Sequence, residues 1–172
     1  MSDKKIIAFY SPYPQAGKST ARKIIDVNKF IYSCSFAAPI KEMVLTLKAL
    51  YGDDVINNYE LGLSARDFNI AIGQGLKQLD RDIWVRIMYK YIETHSNALI
   101  VIDDLRFPNE YAMLKDIGAK IVRITNPERE IVKTEAEGLL EGFEFDYELI
   151  NCKRSLEEYR TQIDKMMREL WP

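Results

Sequence analysis

A short apolar run, Ile6–Tyr10, leads into the turn at residues 15–20. This succession of a run and a turn restricts the possible folds of the chain more than any other feature. A buried strand, a turn containing Gly17, Lys18 and Ser19, and a following helix form the sequence pattern of a phosphate-binding loop. Glycine lets the backbone approach an anion, successive N–H groups converge on it, and the helix N-terminus adds positive partial charge. Lys18 is therefore expected at the β- and γ-phosphates and the Ser19 hydroxyl at Mg²⁺. The cradle residues are Gln15, Ala16, Gly17, Lys18, Ser19 and Thr20.

The turn departs from the full G-x-x-x-x-G-K-S/T pattern, because Pro12 stands where that pattern has its first glycine. Pro14 also lies inside the turn, and each proline fixes φ and removes one N–H donor. The donors that matter most belong to residue 15 and those after it, so neither proline removes them. The alternative interpretation is a turn that only caps a helix. The strand before the turn favours the phosphate-binding interpretation.

The composition of the 172-residue chain is that of an ordinary globular protein, with 47% hydrophobic and 29% charged residues. This length predicts one domain, residues 1–172, with a sizeable core. A net charge of −2 gives no general reason to bind nucleic acid or an anionic membrane, so an anionic ligand needs a local basic site. Cys34 and Cys152 lie in apolar runs and are expected to be buried thiols. No run resembles a signal or membrane-spanning segment, which predicts a cytoplasmic location.

Short apolar runs alternate with helical patterns along the chain. The alternation predicts a doubly wound α/β fold whose ligands bind beyond the carboxyl ends of the strands. The run at residues 99–102 is apolar on both faces, which suits a central parallel strand covered by helices. The predicted strands are residues 6–10, 30–35, 98–103, 120–125 and 148–152. The predicted helices are residues 18–26, 39–50, 65–77, 83–94, 108–117 and 155–170.

The apolar run at residues 98–102 ends in Asp103 and Asp104, and Arg106 follows two residues later. In a nucleotide-binding sheet, a carboxylate at this place can hold Mg²⁺ through water or accept a proton from an attacking oxygen. Arg106 can bind a phosphate through two N–H groups and so supplies the positive charge that the composition lacks. The alternative is an acidic pair at a helix start beside a surface arginine. The phosphate loop in the same chain favours a functional role.

Four segments, taken in order, resemble the bacteriophage deoxynucleoside monophosphate kinases, a group of P-loop nucleoside-phosphate kinases. They are Gly17-Lys18-Ser19-Thr20, Ser35-Phe36-Ala37-Ala38-Pro39-Ile40-Lys41, Asp82-Ile83-Trp84-Val85 and Asp104-Leu105-Arg106-Phe107-Pro108-Asn109-Glu110. A fifth, weaker match is Ile150-Asn151 before the last helix. The resemblance covers nearly the whole chain. It implies a three-layer P-loop fold with a five-stranded, mostly parallel sheet, helices on both faces and a small lid.

Enzymes of this family transfer the γ-phosphoryl group of ATP to a deoxynucleoside 5′-monophosphate, which gives a diphosphate and ADP. Such a reaction asks the protein for alignment, Mg²⁺ and cations around the phosphoryl oxygens. The resemblance therefore implies ATP and Mg²⁺, with Ser19 and Asp104 at the metal and Asp103 as the alternative to Asp104. The catalytic residues that it implies are Lys18, Asp104, Arg106 and Arg129.

The resemblance also implies a lid at about residues 126–146, which closes over ATP and excludes water. Arg123 and Arg129 are the candidate lid cations, and a solvated surface helix is the alternative for Arg129. Asn151 is expected near the adenine.

The acceptor nucleotide is expected in a helical region at about residues 36–95. An aromatic face such as Phe36 or Trp84 can stack on a base, and ordinary core packing is the equal alternative for Trp84. Solvated helix charges are the alternative for Lys41 and Arg66. The substrate-binding residues are Phe36, Lys41, Arg66, Gln74, Asp82, Trp84, Arg106 and Glu110.

Three rival functions stay open on the sequence. The first is a kinase of the same fold that acts on another small acceptor, and the pair Arg106 and Arg66 favours an acceptor that already carries a phosphate. The second is a nucleotide-binding regulator without turnover, and the third is a protein that binds partners and no nucleotide. The expected partner is a deoxynucleoside monophosphate, with no nucleic acid and no membrane, and a homodimer is left open. The expected location is the cytoplasm, that of the host if the chain is encoded by a phage.

Overall fold

A five-stranded parallel sheet carries the elements on which the candidate site depends. The computed structural model describes residues 4–28, 31–57, 62–95, 98–128, 138–151 and 155–172. The strands are β1 (Ile6–Tyr10), β2 (Ile31–Cys34), β3 (Leu99–Leu105), β4 (Lys120–Thr125) and β5 (Tyr147–Ile150). They lie in the order β2-β3-β1-β4-β5, and each neighbouring pair is parallel. The predicted α/β fold is confirmed.

The described helices follow the predicted ones closely. They are α1 (Lys18–Asn28), α2 (Ala38–Tyr51), α3 (Asp53–Ile56), α4 (Ala65–Leu79), α5 (Ile83–Thr94), α6 (Pro108–Asp116) and α7 (Leu156–Leu170). Strands β1 and β4 and helix α5 begin and end at the predicted residues. The four-residue helix α3 is absent from the prediction, because one turn is too short to show an apolar period.

Helices cover both faces of the sheet. On one face, α1 and α7 pack over a core of alternating strand residues that includes Ile7, Phe9, Val101 and Val122. On the other face, α6 packs against β4 and buries Leu114 completely. All five residues of β1 are buried, which fits a central strand of a parallel sheet covered on both sides.

The chain divides into two compact units, residues 1–35 with 89–172 and residues 36–88. The first unit contains the whole sheet, and the second contains α2, α3, α4 and the start of α5. The predicted acceptor-binding region, about residues 36–95, includes the second unit. The prediction of one domain over residues 1–172 stays a prediction.

Three features of the second unit hold its helices in place. Helix α4 begins with a capping box in which Ser64 and Asp67 satisfy each other's backbone N–H groups. In the middle of α4, a Cβ on Gly73 would lie 3.1 Å from Cδ1 of Ile40, so glycine allows α2 to approach closely. The indole N–H of Trp84 donates to the carbonyl of Gly73 at 3.1 Å, which ties α5 to α4.

Cys34 is a buried free thiol, as the sequence predicts, whereas Cys152 lies outside the described residues. In the parts of the chain that the structure describes, no helix combines the length and the apolar character that crossing a bilayer requires.

Candidate functional site

The phosphate loop and Arg106 leave the sheet at the same edge. Strand β1 pairs with β3 in parallel, and Tyr10 at the end of β1 lies opposite Leu105 at the end of β3. The turn after β1 and the segment after β3 therefore start side by side, beyond the carboxyl ends of neighbouring strands. This is the edge of an open α/β sheet at which ligands bind.

The turn takes its left-handed backbone conformations at Gln15 (φ 54°) and Gly17 (φ 101°). Pro12 is buried and lies outside that region of φ, which explains how the turn accommodates a proline where the full pattern has glycine. Helix α1 begins directly after the turn, and the N–H of Ala21 donates to the carbonyl of Gly17 at 2.8 Å. Ser19 lies exposed in the first turn of this helix.

Two distant side chains hold the turn from the side of α7. Nδ2 of Asn151 donates to the carbonyl of Ala16 at 2.8 Å, and the hydroxyl of Tyr159 donates to the carbonyl of Gly17 at 3.3 Å. A Cβ on Gly17 would lie 2.5 Å from Nδ2 of Asn151, so only glycine leaves room for this contact. Asn151, expected near the adenine, thus contacts the backbone of the loop itself. Tyr159 is not among the predicted site residues, because in the sequence it is one apolar position of the helix predicted at residues 155–170.

A β-bulge in β3 places the two aspartates. Between Ala8 and Tyr10 the register of β1 advances by two residues while β3 advances by three, so β3 holds one extra residue near Asp103 and Asp104. The predicted strand ends at Asp103, but the strand runs on to Leu105. A bulge re-aims side chains and is common next to active sites.

Asp103, the first of these aspartates, forms an ion pair with helix α1. Nε of Arg22 in α1 donates to Asp103 at 3.0 Å, and the same guanidinium donates to the hydroxyl of Ser33 at 3.0 Å. Asp103 is therefore tied to α1, and through Arg22 to β2. Burial, together with the charges of Asp104 and Asp103, raises the pKa of the Cys34 thiol to about 12, so this thiol stays protonated.

Glu110 fixes the backbone of the Arg106 segment. The Glu110 carboxylate is buried and accepts the N–H groups of Arg106 at 2.9 Å and Phe107 at 3.1 Å. This contact closes the N-terminal turn of α6, where Pro108 occupies the first helical turn. The Glu110 carboxylate thus binds backbone N–H groups of the protein, whereas the Arg106 side chain is exposed at the edge of the sheet.

Part of the predicted lid packs firmly against the sheet. Arg123 of β4 donates to Glu141 at 2.6 Å and lies 5.7 Å from the ring centroid of Phe145. Phe145 stacks on Tyr10, and the Tyr10 hydroxyl donates to Glu141 at 3.3 Å. Burial and the nearby Glu141 charge raise the pKa of Tyr10 to about 12. Arg129, the other candidate lid cation, lies outside the described residues.

The predicted acceptor residues of the second unit divide into two groups. Phe36 and Trp84 are buried, and the indole hydrogen bond to Gly73 gives Trp84 a packing role in that unit. The four polar residues are exposed on helices or next to them: Lys41, Arg66, Gln74 and Asp82.

The donor set at the edge suits Mg²⁺. A hydroxyl and a carboxylate, from Ser19 and Asp104, are hard oxygen ligands, and Mg²⁺ bound to a nucleotide usually keeps water and phosphate oxygens as its other ligands. Within the described ranges, no three His, Cys, Asp or Glu side chains gather into a metal cluster. The residues therefore fit a metal that arrives with a nucleotide.

Comparison with known proteins agrees with this geometry. The model of a family described as deoxynucleotide monophosphate kinase matches residues 51–163, more than half of the chain. The chain belongs to this family. Comparison with curated protein sequences gives no significant match.

Solved structures show the fold that this deoxynucleotide monophosphate kinase family member shares. A Thermus thermophilus protein is 15% identical with a TM-score of 0.57, over 98% of this chain and 99% of that one. Dephospho-CoA kinase from Campylobacter jejuni is 16% identical with a TM-score of 0.56, over 96% and 97%. A sugar kinase from Janibacter sp. is 11% identical with a TM-score of 0.51, over 96% and 95%. At these identities the likeness concerns the fold alone, which is that of the P-loop kinases.

Proposed function

We propose that the protein transfers the γ-phosphoryl group of ATP to a deoxynucleoside 5′-monophosphate, which yields a deoxynucleoside diphosphate and ADP. The observation that carries this proposal is the parallel pairing of β1 with β3, with Tyr10 opposite Leu105. Because of this register, the phosphate loop, the bulged aspartates and Arg106 all lie at one edge of the sheet. Membership of the deoxynucleotide monophosphate kinase family supports the acceptor class.

Each group at this edge has a role in such a transfer. Lys18 binds the β- and γ-phosphates, and the loop N–H groups surround the phosphate oxygens. Ser19 and Asp104 would hold Mg²⁺, which would supply positive charge next to the phosphates. Arg106 binds the phosphate of the acceptor or the transferred group. These residues align the reactants and stabilise charge, which is most of what phosphoryl transfer needs.

The acceptor side of the proposal belongs to the helical unit, residues 36–88. Its exposed cations, Lys41 and Arg66, are the groups proposed for the acceptor's phosphate, and Phe36 is the aromatic face proposed for its base. Gln74, Asp82 and Trp84 complete the proposed set. Arg129 is proposed as a lid cation.

The test is to incubate the protein with Mg-ATP and each of the four deoxynucleoside monophosphates and to measure ADP. We expect ADP formation that depends on at least one acceptor. Lys18→Ala should lower kcat about 100-fold or more, whereas Lys23→Ala, which removes an exposed lysine of the same helix, should leave it unchanged. ATP binding without acceptor-dependent ADP would favour a regulator, and absence of ATP binding would favour a partner-binding protein.

A further inference from the structure

Two carbonyls of the phosphate loop accept hydrogen bonds from Asn151, directly after β5, and from Tyr159 of α7. Nδ2 of Asn151 donates to the Ala16 carbonyl at 2.8 Å, and the Tyr159 hydroxyl donates to the Gly17 carbonyl at 3.3 Å. The pairs lie 135 and 142 residues apart in sequence. These contacts join the start of the chain to its last helix at the anion-binding turn.

The geometry of the peptide bond gives these contacts a consequence. In a trans peptide, the carbonyl of one residue and the N–H of the next point in opposite directions. When Asn151 holds the Ala16 carbonyl, the N–H of Gly17 points away from Asn151. When Tyr159 holds the Gly17 carbonyl, the N–H of Lys18 points away from Tyr159. Both N–H groups belong to the cradle that binds phosphate in a loop of this kind.

We propose that Asn151 and Tyr159 are positioning residues that hold the loop in its anion-binding conformation, so that the N–H groups of Gly17 and Lys18 face the phosphates. The proposal rests on the proposed function, since it assumes that the loop binds the polyphosphate of ATP. Without Asn151, rotation of the Ala16–Gly17 peptide turns the N–H of Gly17 away from the ligand. Without Tyr159, the Gly17 carbonyl keeps the Ala21 N–H at 2.8 Å but loses the contact that fixes it from the side of α7. Glycine at residue 17 permits such rotation readily.

Both donors sit on rigid supports. The backbone N–H of Asn151 donates to the Thr125 carbonyl at 2.9 Å, which continues the pairing of β5 with β4. Tyr159 lies in the first turns of α7, where Ser155 and Glu158 form a capping box. The Tyr159 ring is 3% exposed, and burial raises the pKa of its hydroxyl, which therefore remains a donor at neutral pH.

The size of residue 17 is matched to the two donors. A Cβ at Gly17 would lie 2.5 Å from Nδ2 of Asn151 and 3.3 Å from the hydroxyl oxygen of Tyr159. Any larger residue would push Asn151 off the Ala16 carbonyl. The glycine therefore serves the approach of the two side chains as well as the approach of the backbone to an anion.

The experiment measures the Kd of two probes, Mg-ATP and inorganic tripolyphosphate, by titration calorimetry on the full chain. Tyr159→Phe keeps the buried ring and removes the hydroxyl, and Asn151→Leu keeps the approximate volume and removes the donor. Each variant should weaken both probes about five-fold, the effect of one hydrogen bond. The matched control is Tyr147→Phe, which removes a tyrosine hydroxyl that hydrogen-bonds Glu169 in α7, away from the loop. This control should bind both probes as the wild type does.

The outcomes separate this inference from the proposed function. Unchanged Kd values in both variants, with normal wild-type binding, would overturn the positioning role alone. An Asn151→Leu effect on ATP without one on tripolyphosphate would overturn it in favour of an adenine contact. Wild-type protein that binds neither probe would overturn the proposed function together with the inference. If Asn151→Leu does not fold, Tyr159→Phe still decides the matter, because it changes one buried atom.

Discussion

At the scale of single residues, β3 carries two neighbouring carboxylates, Asp103 and Asp104, beside a bulge. Asp103 is ion-paired with Arg22 at 3.0 Å, and the bulge in β3 adds one residue to the strand near Asp103 and Asp104. Sequence alone ranks the two only by their position in a motif. The ion pair gives Asp103 a structural contact, and the metal-site role of Asp104 stays a proposal.

The proposed metal-site role of Asp104 and the ion pair of Asp103 predict different effects of two matched substitutions. Asp104→Asn should lower kcat about 100-fold, the rate equivalent of about 3 kcal/mol, and should raise the Mg²⁺ concentration needed for half-maximal rate. Asp103→Asn should weaken the pair with Arg22 and lower the free energy of unfolding by about 1 kcal/mol. A steady-state assay over a Mg²⁺ series, with urea unfolding of both variants, checks the pair. The assignment is wrong if Asp103→Asn is the variant with the altered Mg²⁺ dependence.

A second prediction at this scale concerns Arg106. Glu110 binds its backbone N–H at 2.9 Å, so the main chain is fixed while the exposed guanidinium is proposed to bind phosphate. Arg106→Ala should raise the KM for the acceptor about 10- to 100-fold, because a charge-assisted hydrogen bond to phosphate is lost. The KM for ATP should change little. Arg160→Ala, at an exposed position of α7, is the control. A rise confined to the KM for ATP would contradict the role in acceptor binding.

At the scale of elements, the segment at residues 138–146 packs against side chains of β1 and β4. Leu140 is fully buried, Phe145 stacks on Tyr10 with ring centroids 5.4 Å apart, and Glu141 joins Tyr10 to Arg123. The resemblance implies a lid at about residues 126–146, and this segment falls within it. The charged residue Glu141 is instead paired with Arg123, which ties the segment to β4.

We therefore predict that substitution of Arg123 lowers the stability of the protein more than it lowers kcat. Arg123→Met should break the contacts with Glu141 and Glu148 and lower Tm by about 3–6 °C, the equivalent of about 1–2 kcal/mol in a chain of this length. Thermal unfolding and kcat are measured together, with Arg168→Met at an exposed position as the control. A large fall in kcat without loss of stability would support the lid-cation role.

At the scale of the whole molecule, a carboxylate between α6 and β4 makes stability depend on pH. Although burial opposes its ionisation, the N–H of Ile121 at 2.9 Å and the ammonium group of Lys115 at 3.1 Å lower the pKa of Asp146. Lys120 adds a contact at 3.4 Å. Because the pKa in the folded state is below that in the unfolded state, this stabilisation is present at neutral pH and is lost as pH falls through the folded-state pKa.

The corresponding prediction uses Asp146→Asn. This variant keeps an oxygen for the N–H of Ile121 but loses the charge, so at pH 7 it should be about 1 kcal/mol less stable than the wild type. The difference should shrink as pH falls below the usual carboxyl range, because the wild-type carboxylate is then protonated. Urea unfolding followed by tryptophan fluorescence between pH 7 and pH 3 measures it, with Asp164→Asn, at an exposed position, as the control. A difference that is constant with pH would contradict the electrostatic explanation.

Much of the fold could be predicted because its signals are local. The bounds of β1, β4 and α5, the capping box at Ser155 and the proline at the start of α6 all follow from residues close together in sequence. The turn at Gly17 is recognisable for the same reason, since glycine, lysine and serine act there as neighbours. The family is likewise visible from short motifs that keep their order along the chain.

The sequence by itself determined which elements form and that a phosphate loop follows the first strand, because periodicity, caps and turn residues act over a few positions. Only the tertiary structure decided the bulge at Asp103 and Asp104, the pair formed by Arg123 and Glu141, and the contact of Asn151 with the loop. Each depends on the register between segments that are far apart in the chain, up to 135 residues for Asn151 and Ala16. Such register is fixed by the packing of the whole sheet, and no short stretch of residues records it.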